Sequence, residues 1–247
     1  MRIAIAGGTG IVGRHAADAV RAEGHQAVVL SRSRGVDLLT GEGLDAALEG
    51  VHAVIDVANV ATLKANEAIE FFTTATGNLL AGAAAAEVAH VVLLSIVGVD
   101  RIPYDYYAGK LAQEKVVERS RTPWTIQRAT QFHEFAAQMF ESARIGPLHI
   151  APRARTQPIA AAEVGTRLAA LASGTAQARA RDLAGPREES LSDMIRAYGR
   201  ASGHRGWIPS LSVPTKQMAG MRAGLALPGP DALRGEQTFA EWLAARD

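Results

Sequence analysis

The sequence contains no cysteine, and aromatic residues make up only 5% of its 247 residues. The absence of cysteine excludes disulfide bonds, iron–sulfur clusters, thiol nucleophiles and cysteine zinc sites. Long apolar runs are also missing. The longest, residues 79–99, is interrupted by Glu87, His90 and Ser95, so no segment reaches the roughly 18 apolar residues of a membrane span. No secretory signal pattern precedes the first strand, and we therefore expect a cytoplasmic protein without a membrane partner.

An excess of charge of one sign is absent as well, since the formal net charge is +1 with both signs interspersed. This balance argues against nucleic acid as a partner. The histidines are scattered without the spacing of metal ligands, so no metal site is expected. The chain is long enough for a single domain over residues 1–247. Prolines cluster and segments shorten from about residue 146, so residues 146–247 are expected to contribute a substrate-binding lobe.

Short apolar runs alternate with helical periodicity in the first half of the chain. Strands are predicted at residues 3–6, 27–30, 53–57, 91–94 and 124–126, with a short additional strand at Val36. Helices are predicted at residues 11–23, 44–48, 65–86 and 106–119, and in the second half at 162–172, 191–201, 215–225 and 237–245. Strands that alternate with helices indicate an α/β fold with a Rossmann-like, doubly wound parallel sheet and a small C-terminal lobe.

A glycine-rich segment, Gly7-Gly8-Thr9-Gly10-Ile11-Val12-Gly13, lies between the first strand and the first helix. It fits two spacings, G-x-G-x-x-G from Gly8 and G-x-x-G-x-x-G from Gly7; the second is favoured. Glycines at such positions allow a tight turn and a close approach of a dinucleotide, whose phosphates accept from helix N-terminal amides. The residues expected to contact the cofactor in this loop are Gly7, Thr9, Gly10, Ile11, Val12 and Gly13.

The end of the second strand indicates which dinucleotide is bound. An NAD site has an acidic residue there for the ribose 2′-hydroxyl. This chain has Ser31 and Arg32 instead, which suit a 2′-phosphate and predict NADP(H) in preference to NAD(H). The alternative is a basic surface loop.

Tyr106 and Lys110 open the helix that follows the strand ending at Ser95, and a spacing of four places them on one helical face. An ammonium near a phenol lowers the pKa of the phenol, which makes Tyr106 a candidate proton donor for hydride transfer to a carbonyl. Ser95 is a candidate third catalytic residue. The alternative is that Lys110 pairs with Glu114 and that Tyr106 packs beneath a loop.

Taken together, these residues resemble the short-chain dehydrogenase/reductase superfamily, in particular its atypical NmrA-like, NAD(P)H-binding branch. The similarity extends over nearly the whole chain, from the glycine loop and Leu93-Leu94-Ser95 through the YYAGK string to the later segments Gln157-Pro158-Ile159 and Ala184-Gly185-Pro186. Reductases of this superfamily often carry a second serine after Ser95, where this chain has Ile96.

The resemblance implies roles for further residues. Asp37 and Leu38 would flank the adenine, Val57-Ala58-Asn59 would line the ribose and nicotinamide, and Lys110 would hold the ribose. Thr130 would lie near the nicotinamide. The residues expected to face substrate are Gln131, Phe132 and His133.

The function predicted from these features is NADP(H)-dependent reduction of a small carbonyl or quinone-like substrate. The resemblance leaves open an alternative, because some members of this branch bind NADP(H) without turnover and act as redox sensors with a protein partner.

Overall fold

The computed structural model describes residues 1–146 and 148–246. Its strands in chain order are β1 (Arg2–Ala6), β2 (Gln26–Leu30), β3 (Ala53–Asp56), β4 (His90–Ile96), β5 (Trp124–Ala129), β6 (Arg144–Ile145), β7 (Leu148–His149), β8 (Ala151–Pro152), β9 (Arg155–Thr156), β10 (Ala178–Arg179), β11 (Leu183–Ala184), β12 (Glu189–Ser190), β13 (Ser210–Leu211) and β14 (Leu233–Arg234). Its helices are α1 (Ile11–Ala22), α2 (Leu44–Leu48), α3 (Ala65–Ala85), α4 (Tyr106–Glu118), α5 (Glu134–Ser142), α6 (Ala161–Ala172), α7 (Leu191–Ala201), α8 (Lys216–Arg222) and α9 (Phe239–Ala244), with a 3₁₀ turn at Arg32–Arg34.

The chain forms two compact units. The first comprises Met1–Ile96, Tyr104–Arg128 and Ala162–Arg181, and the second comprises Val97–Pro103, Ala129–Ala161 and Asp182–Asp247. Residues 162–181 belong to the first unit, so the second unit does not coincide with the 146–247 range expected for the lobe. Residues 147 and 247 of that range lie outside the described residues.

The first unit is built on a sheet in the order β2-β1-β3-β4-β5, with β10 beside β5. Strand β1 is parallel to both of its neighbours, with Ile3 opposite Ala27 on one side and Ala53 on the other. The chain therefore runs outward from β1 to β2 and returns to the other side of β1 at β3. Ligands of doubly wound sheets bind at such a reversal, beyond the carboxyl ends of the strands. The predicted α/β, Rossmann-like fold class is confirmed.

One predicted strand is wrong. Val36 lies in a loop after the 3₁₀ turn, where its N–H donates to the Ser31 carbonyl oxygen at 3.1 Å. Its side chain is buried because it joins Leu44 and Leu48 in the core beneath the sheet. Burial without a neighbouring strand therefore explains the apolar signal at this position.

The core of the first unit consists of apolar side chains from the strands and from α2, α3 and α4. Leu30, Val54 and Leu93 of the strands pack against Leu48 and Leu79 of the helices, and all five are nearly inaccessible. Helices α3 and α4 approach closely because Gly109 has no Cβ. A Cβ there would lie 2.6 Å from the backbone of Ala68.

The second unit contains short strand pairs and four helices among its described residues. Leu183 of β11 pairs with Ala129, and β14 is parallel to β11. Helix α9 begins with a capping box in which Thr238 and Glu241 satisfy each other's backbone N–H groups, an arrangement that stabilises a short helix.

Candidate functional site

The glycine loop lies where β1 ends and α1 begins, at the reversal point of the sheet. Gly7 has a φ of +77°, and a Cβ on it would lie 2.7 Å from the Val57 carbonyl oxygen. A Cβ on Gly13 would lie 2.2 Å from the Gly7 carbonyl oxygen. Neither position accommodates a side chain. Crowding is milder at Gly10, where the corresponding distance to the Gly7 oxygen is 3.2 Å.

The N-terminus of α1 offers donors to an anion. Gly10 is the N-cap, no side chain caps the helix and no acidic residue lies in its first turn. The first helical hydrogen bond runs from Arg14 N–H to the Gly10 carbonyl oxygen, so the amides of Ile11, Val12 and Gly13 precede it and point out of the helix end. Thr9 is exposed beside them. A bare helix end behind a glycine cradle fits the pyrophosphate of a dinucleotide.

The turn after β2 carries the basic group predicted for a 2′-phosphate. Ser31 is followed by the 3₁₀ turn Arg32–Arg34, and no acidic residue lies in this stretch. The Ser31 and Ser33 hydroxyls lie 3.0 Å apart. Arg32 is exposed and makes no ion pair with a described residue, so its guanidinium is available to an anion.

The next segment is held in place by a side chain that the sequence interpretation missed. Asn78 of α3 donates to the carbonyl oxygens of Leu38 and Leu39, both at 2.9 Å. Asp37 accepts from the Leu39 N–H at 2.8 Å. The sequence signal for this contact was an asparagine within an apolar helix.

The carboxyl end of β3 carries a buried acidic residue. Asp56 is 1% exposed. One of its oxygens accepts from the Ala58 N–H at 3.0 Å, and the other accepts from Thr76 at 2.9 Å and Gln113 at 3.0 Å. These bonds orient the Val57-Ala58-Asn59 segment from within. Sequence reasoning assigned no role to this group, although an acid ending an apolar strand is itself a signal.

Tyr106 is tied to that segment directly. Its hydroxyl donates to Asn59 Oδ1 at 2.6 Å. Burial, with a further contribution from Tyr107, raises the pKa of Tyr106 well above its usual value. The expected lowering of this pKa by Lys110 is therefore not what the structure gives, and Tyr106 is held in its neutral, proton-bearing form.

Lys110 points into the protein interior, which explains the difference. Its ammonium donates to the Leu94 carbonyl oxygen at 2.7 Å and to Gln113 Oε1 at 2.5 Å, and it lies 4.7 Å from the centre of the Phe72 ring. Burial lowers the pKa of Lys110 to about 8, although the charges of Asp56 and Glu114 oppose the shift. Gln113 thus links Lys110 to Asp56.

Ser95 lies one residue before the end of β4, which extends to Ile96, and is nearly inaccessible. Its Oγ has no hydrogen-bond partner among the described residues, so it is joined to neither Tyr106 nor Lys110. Burial by itself raises the pKa of Glu114, but the hydrogen bonds from Arg128, the nearby Ser95 hydroxyl and the charges of Arg128 and Arg179 bring this pKa below its usual value. The alternative pairing of Lys110 with Glu114 is not formed, because Arg128 binds Glu114 at 2.9 and 2.7 Å.

The remaining predicted residues lie in the second unit. Thr130 donates to the Gln157 carbonyl oxygen at 2.6 Å, and Gln131 accepts from Thr156 at 2.8 Å. Phe132 forms a bridge to Ile159. The His133 ring is fully buried.

His133 packs against the rings of Phe239 and Trp242. Its Nε2 lies 3.1 Å from the Gln237 carbonyl oxygen. These contacts give His133 a packing role in this unit, and its contact with substrate stays a prediction.

The part of the chain that the structure describes has neither a cluster of metal-ligating side chains nor a membrane-spanning helix. Residues 1–146 and 148–246 contain no group of three or more histidine or acidic side chains arranged to hold a metal ion. No helix within these residues combines the length and apolar character needed to cross a membrane.

The first half of the chain is similar to a known protein family. Residues 3–122 match the model of the NAD dependent epimerase/dehydratase family. Over these residues, which are just under half of the chain, the match agrees with the predicted resemblance to the short-chain dehydrogenase/reductase superfamily. The NmrA-like branch stays a prediction. No curated protein matches the chain.

Several solved structures share the fold over nearly the full chain. The NADPH-dependent quinone oxidoreductase QOR2 of Escherichia coli, complexed with NADPH, is 17% identical, with a TM-score of 0.75 over 98% of this chain and 99% of that chain. A triphenylmethane reductase of Citrobacter sp. is 15% identical, with a TM-score of 0.73 over 100% and 99%. A nucleoside-diphosphate-sugar epimerase of Staphylococcus aureus is 15% identical, with a TM-score of 0.72 over 98% and 99%. At these identities the likeness shows the fold.

Proposed function

We propose that this protein is an NADP(H)-dependent oxidoreductase that reduces a small carbonyl or quinone-like substrate. One observation carries the proposal. Gly7 of the phosphate loop packs on the Val57 carbonyl, and Asn59, two residues further on, accepts the hydrogen bond of Tyr106. A phosphate cradle and a neutral phenolic hydroxyl thus lie along one edge of the first unit, at the position where doubly wound sheets bind dinucleotides.

The cofactor assignment rests on the loop and on Arg32. The glycine cradle and the uncapped α1 suit the pyrophosphate, and Arg32 with Ser31 suits a 2′-phosphate. The family model that matches is named for NAD, whereas QOR2 of similar fold is complexed with NADPH. We give more weight to Arg32, because no acidic residue occupies the turn after β2 to bind a free 2′-hydroxyl.

When bound, NADPH supplies a hydride, which carries two electrons to the substrate. The developing alkoxide or hydroquinone anion then needs one proton, and the neutral Tyr106 hydroxyl is the donor that we assign to it. Asn59 orients that hydroxyl. Lys110 and Asp56, joined through Gln113, hold α4 and the end of β3 in register, and we assign them a positioning role.

A second candidate, a non-catalytic NADP(H)-binding sensor, is favoured by one specific observation. The Lys110 ammonium is engaged with Leu94 and Gln113, and the pKa of Tyr106 is raised. Lys110 therefore does not lower the pKa of Tyr106, as the catalytic pair expected from the sequence requires. Such a sensor binds the same cofactor and differs only in having no turnover.

NADPH oxidation with a panel of quinones and aldehydes separates the two functions. For the enzyme, Tyr106→Phe is expected to lower kcat by about 100-fold or more, the usual contribution of a general acid, with NADPH affinity retained. Tyr104→Phe, which removes an exposed hydroxyl from the same segment, is the control and is expected to leave kcat unchanged. Tight NADPH binding without turnover on any substrate of the panel would favour the sensor. Equal kcat values for wild type and Tyr106→Phe would refute the proton-donor role.

A further inference from the structure

A cavity of about 670 Å³ lies in the second unit, outside the residues assigned above. It is lined by the last two turns of α7 and the loop that follows them. Its charged lining residues are Arg196, Arg200 and Arg205, and no carboxylate of a described residue lines it. The volume is in the range of small-molecule sites, which measure roughly 300–1,000 Å³.

The positive charge in this cavity is only partly neutralised. Arg196 donates to the Ile208 carbonyl oxygen at 3.0 Å and pairs with Asp193 at 3.3 Å. The side chains of Arg200 and Arg205 are exposed, and their guanidinium groups make no hydrogen bond or ion pair with a described residue. Two guanidinium groups are therefore available to an anion, and a guanidinium group can bind phosphate or carboxylate through two parallel hydrogen bonds.

A second cavity in the same unit differs from the first in that carboxylates line it. There Arg155 is bound by both oxygens of Glu188, at 2.6 and 2.9 Å. An arginine that is already paired with a carboxylate offers little to an incoming anion. Two carboxylates, Glu188 and Glu189, thus line the second cavity beside its three arginines, whereas no carboxylate of a described residue lines the first.

The backbone of the α7 end does not compete for the guanidinium groups. The carbonyl oxygens of Tyr198 and Arg200 accept from the N–H groups of Ser202 and Gly203, at 2.9 and 3.0 Å. The Gly199 carbonyl oxygen accepts from His204 N–H at 2.9 Å. These bonds also hold the loop against the helix, which orders the wall that carries Arg205 and Trp207.

Trp207 contributes an apolar face to the same cavity. Its side chain is 76% exposed, the largest exposed fraction among the tryptophans. A tryptophan this exposed leaves a large aromatic surface in water, and stacking of a second ring on it is favourable. His204 beside it is fixed by ring contacts with Phe140 and His149, at 5.5 and 4.8 Å between centroids.

We propose that this cavity binds a small aromatic anion, that is, an aromatic ring that carries a phosphate or a carboxylate. Arg200 and Arg205 bind the anionic group, Arg196 adds to the positive potential and Trp207 stacks on the ring. The site lies wholly in the second unit. It is independent of the cofactor assignment, since none of its residues belongs to the glycine loop or to the Arg32 turn.

Isothermal titration calorimetry with 1-naphthyl phosphate tests the proposal on the full chain. The double variant Arg200→Ala/Arg205→Ala is expected to weaken binding by about tenfold or more, as expected for the loss of charge-assisted hydrogen bonds. The matched control is Arg119→Ala/Arg121→Ala, which removes two exposed arginines from the first unit and changes the net charge equally. Its affinity is expected to equal that of wild type. Equal affinities of the two double variants would overturn the proposal. Binding of the probe at the cofactor site would give this result.

Further arms test the aromatic component and the anion. Trp207→Ala is expected to weaken the binding of 1-naphthyl phosphate more than that of inorganic phosphate. Trp207→Phe is expected to retain most of the wild-type affinity for 1-naphthyl phosphate. Comparison with 1-naphthoate shows whether phosphate or carboxylate is preferred, and uncharged 1-naphthol is expected not to bind. Equal losses for both phosphate probes in Trp207→Ala would contradict stacking. Binding of single-stranded oligonucleotides through Arg200 and Arg205 without binding of 1-naphthyl phosphate would assign the cavity to nucleic acid and overturn the small-ligand proposal.

Discussion

At the scale of single residues, the direction in which a side chain points decides its chemistry. Tyr106 and Lys110 share a helical face, as their spacing predicts, yet their side chains contact different groups. The phenol donates to Asn59, and the ammonium enters the interior between Leu94, Gln113 and the Phe72 ring. Proximity along a helix therefore does not establish that one group alters the pKa of the other.

Lys110 makes a measurable contribution to the pH dependence of stability. Its pKa falls from the ordinary value of 10.5 to about 8 in the folded protein because burial disfavours the charge. Between these values the unfolded chain binds more protons than the folded one, so the free energy of unfolding rises with pH through this window. Relative to Lys110→Met, the rise in wild type is expected to reach up to about 3 kcal/mol. Urea unfolding between pH 7.5 and 10 measures it, and parallel pH profiles of the two proteins would contradict the assignment.

The preference for one dinucleotide is a prediction that concerns Arg32. Arg32→Ala removes the group assigned to the 2′-phosphate, and a hydrogen bond to a charged group contributes about 1.5–3 kcal/mol. NADPH affinity is therefore expected to fall by about tenfold or more, while NADH affinity is unchanged. Fluorescence titration with both nucleotides measures the two constants. The control is Arg34→Ala, an exposed arginine in the same turn. Equal losses for NADPH and NADH in Arg32→Ala would exclude a contact with the 2′-phosphate.

At the scale of elements, periodicity predicted the long helices well. The expected ranges 11–23, 65–86 and 106–119 differ from α1, α3 and α4 by a single residue at the C-terminal end. Helix α8 was predicted four residues too long, at 215–225 against Lys216–Arg222, and Thr215 is its N-cap. The periodicity did not predict how the helices pack against each other. The approach of α4 to α3 depends on Gly109, which the sequence presents only as part of the YYAGK string.

Two helical glycines give a matched test of this packing. Gly109→Ala places a Cβ 2.6 Å from the Ala68 backbone, and overpacking of this kind costs about 1–3 kcal/mol. Gly77→Ala in α3 meets nothing within 4 Å and is expected to stabilise the protein by up to about 1 kcal/mol, because alanine favours the helix. Urea unfolding measures both free energies. A neutral or stabilising Gly109→Ala would show that α3 and α4 do not pack as described.

At the scale of the whole molecule, the topology of the first unit collects distant parts of the sequence. Gly7, Val57, Asn59 and Tyr106 meet because β1 and β3 are adjacent and parallel and the chain passes through β2 between them. The carboxyl ends of both strands then lie at one edge. The net charge of +1 supplies no strong long-range field, so anions are attracted by local arginines.

Cofactor binding is expected to be visible in the stability of the whole chain. A ligand that binds only the folded protein adds about 2.7 kcal/mol at 100 times its dissociation constant. NADPH is therefore expected to raise the midpoint of thermal unfolding, and NADH at equal concentration is expected to raise it less. Circular dichroism melting curves give both shifts. A midpoint unaffected by millimolar NADPH would refute the cofactor assignment, whatever the outcome for the aromatic-anion cavity.

The amino-acid sequence by itself determined the features that depend on neighbours along the chain. The glycine loop, the helix that follows it, the basic turn at Arg32 and the shared face of Tyr106 and Lys110 all follow from local spacing and backbone sterics. Only the tertiary structure decided the features that depend on what packs against a residue. The burial of Lys110, the raised pKa of Tyr106 and the Asp56–Gln113 link arise because strands and helices distant in sequence surround these groups and exclude water. The arginine-lined cavity also depends on the tertiary structure. Arg200 and Arg205 are available to an anion because no carboxylate of a described residue lines the cavity with them, and no local sequence pattern predicts this.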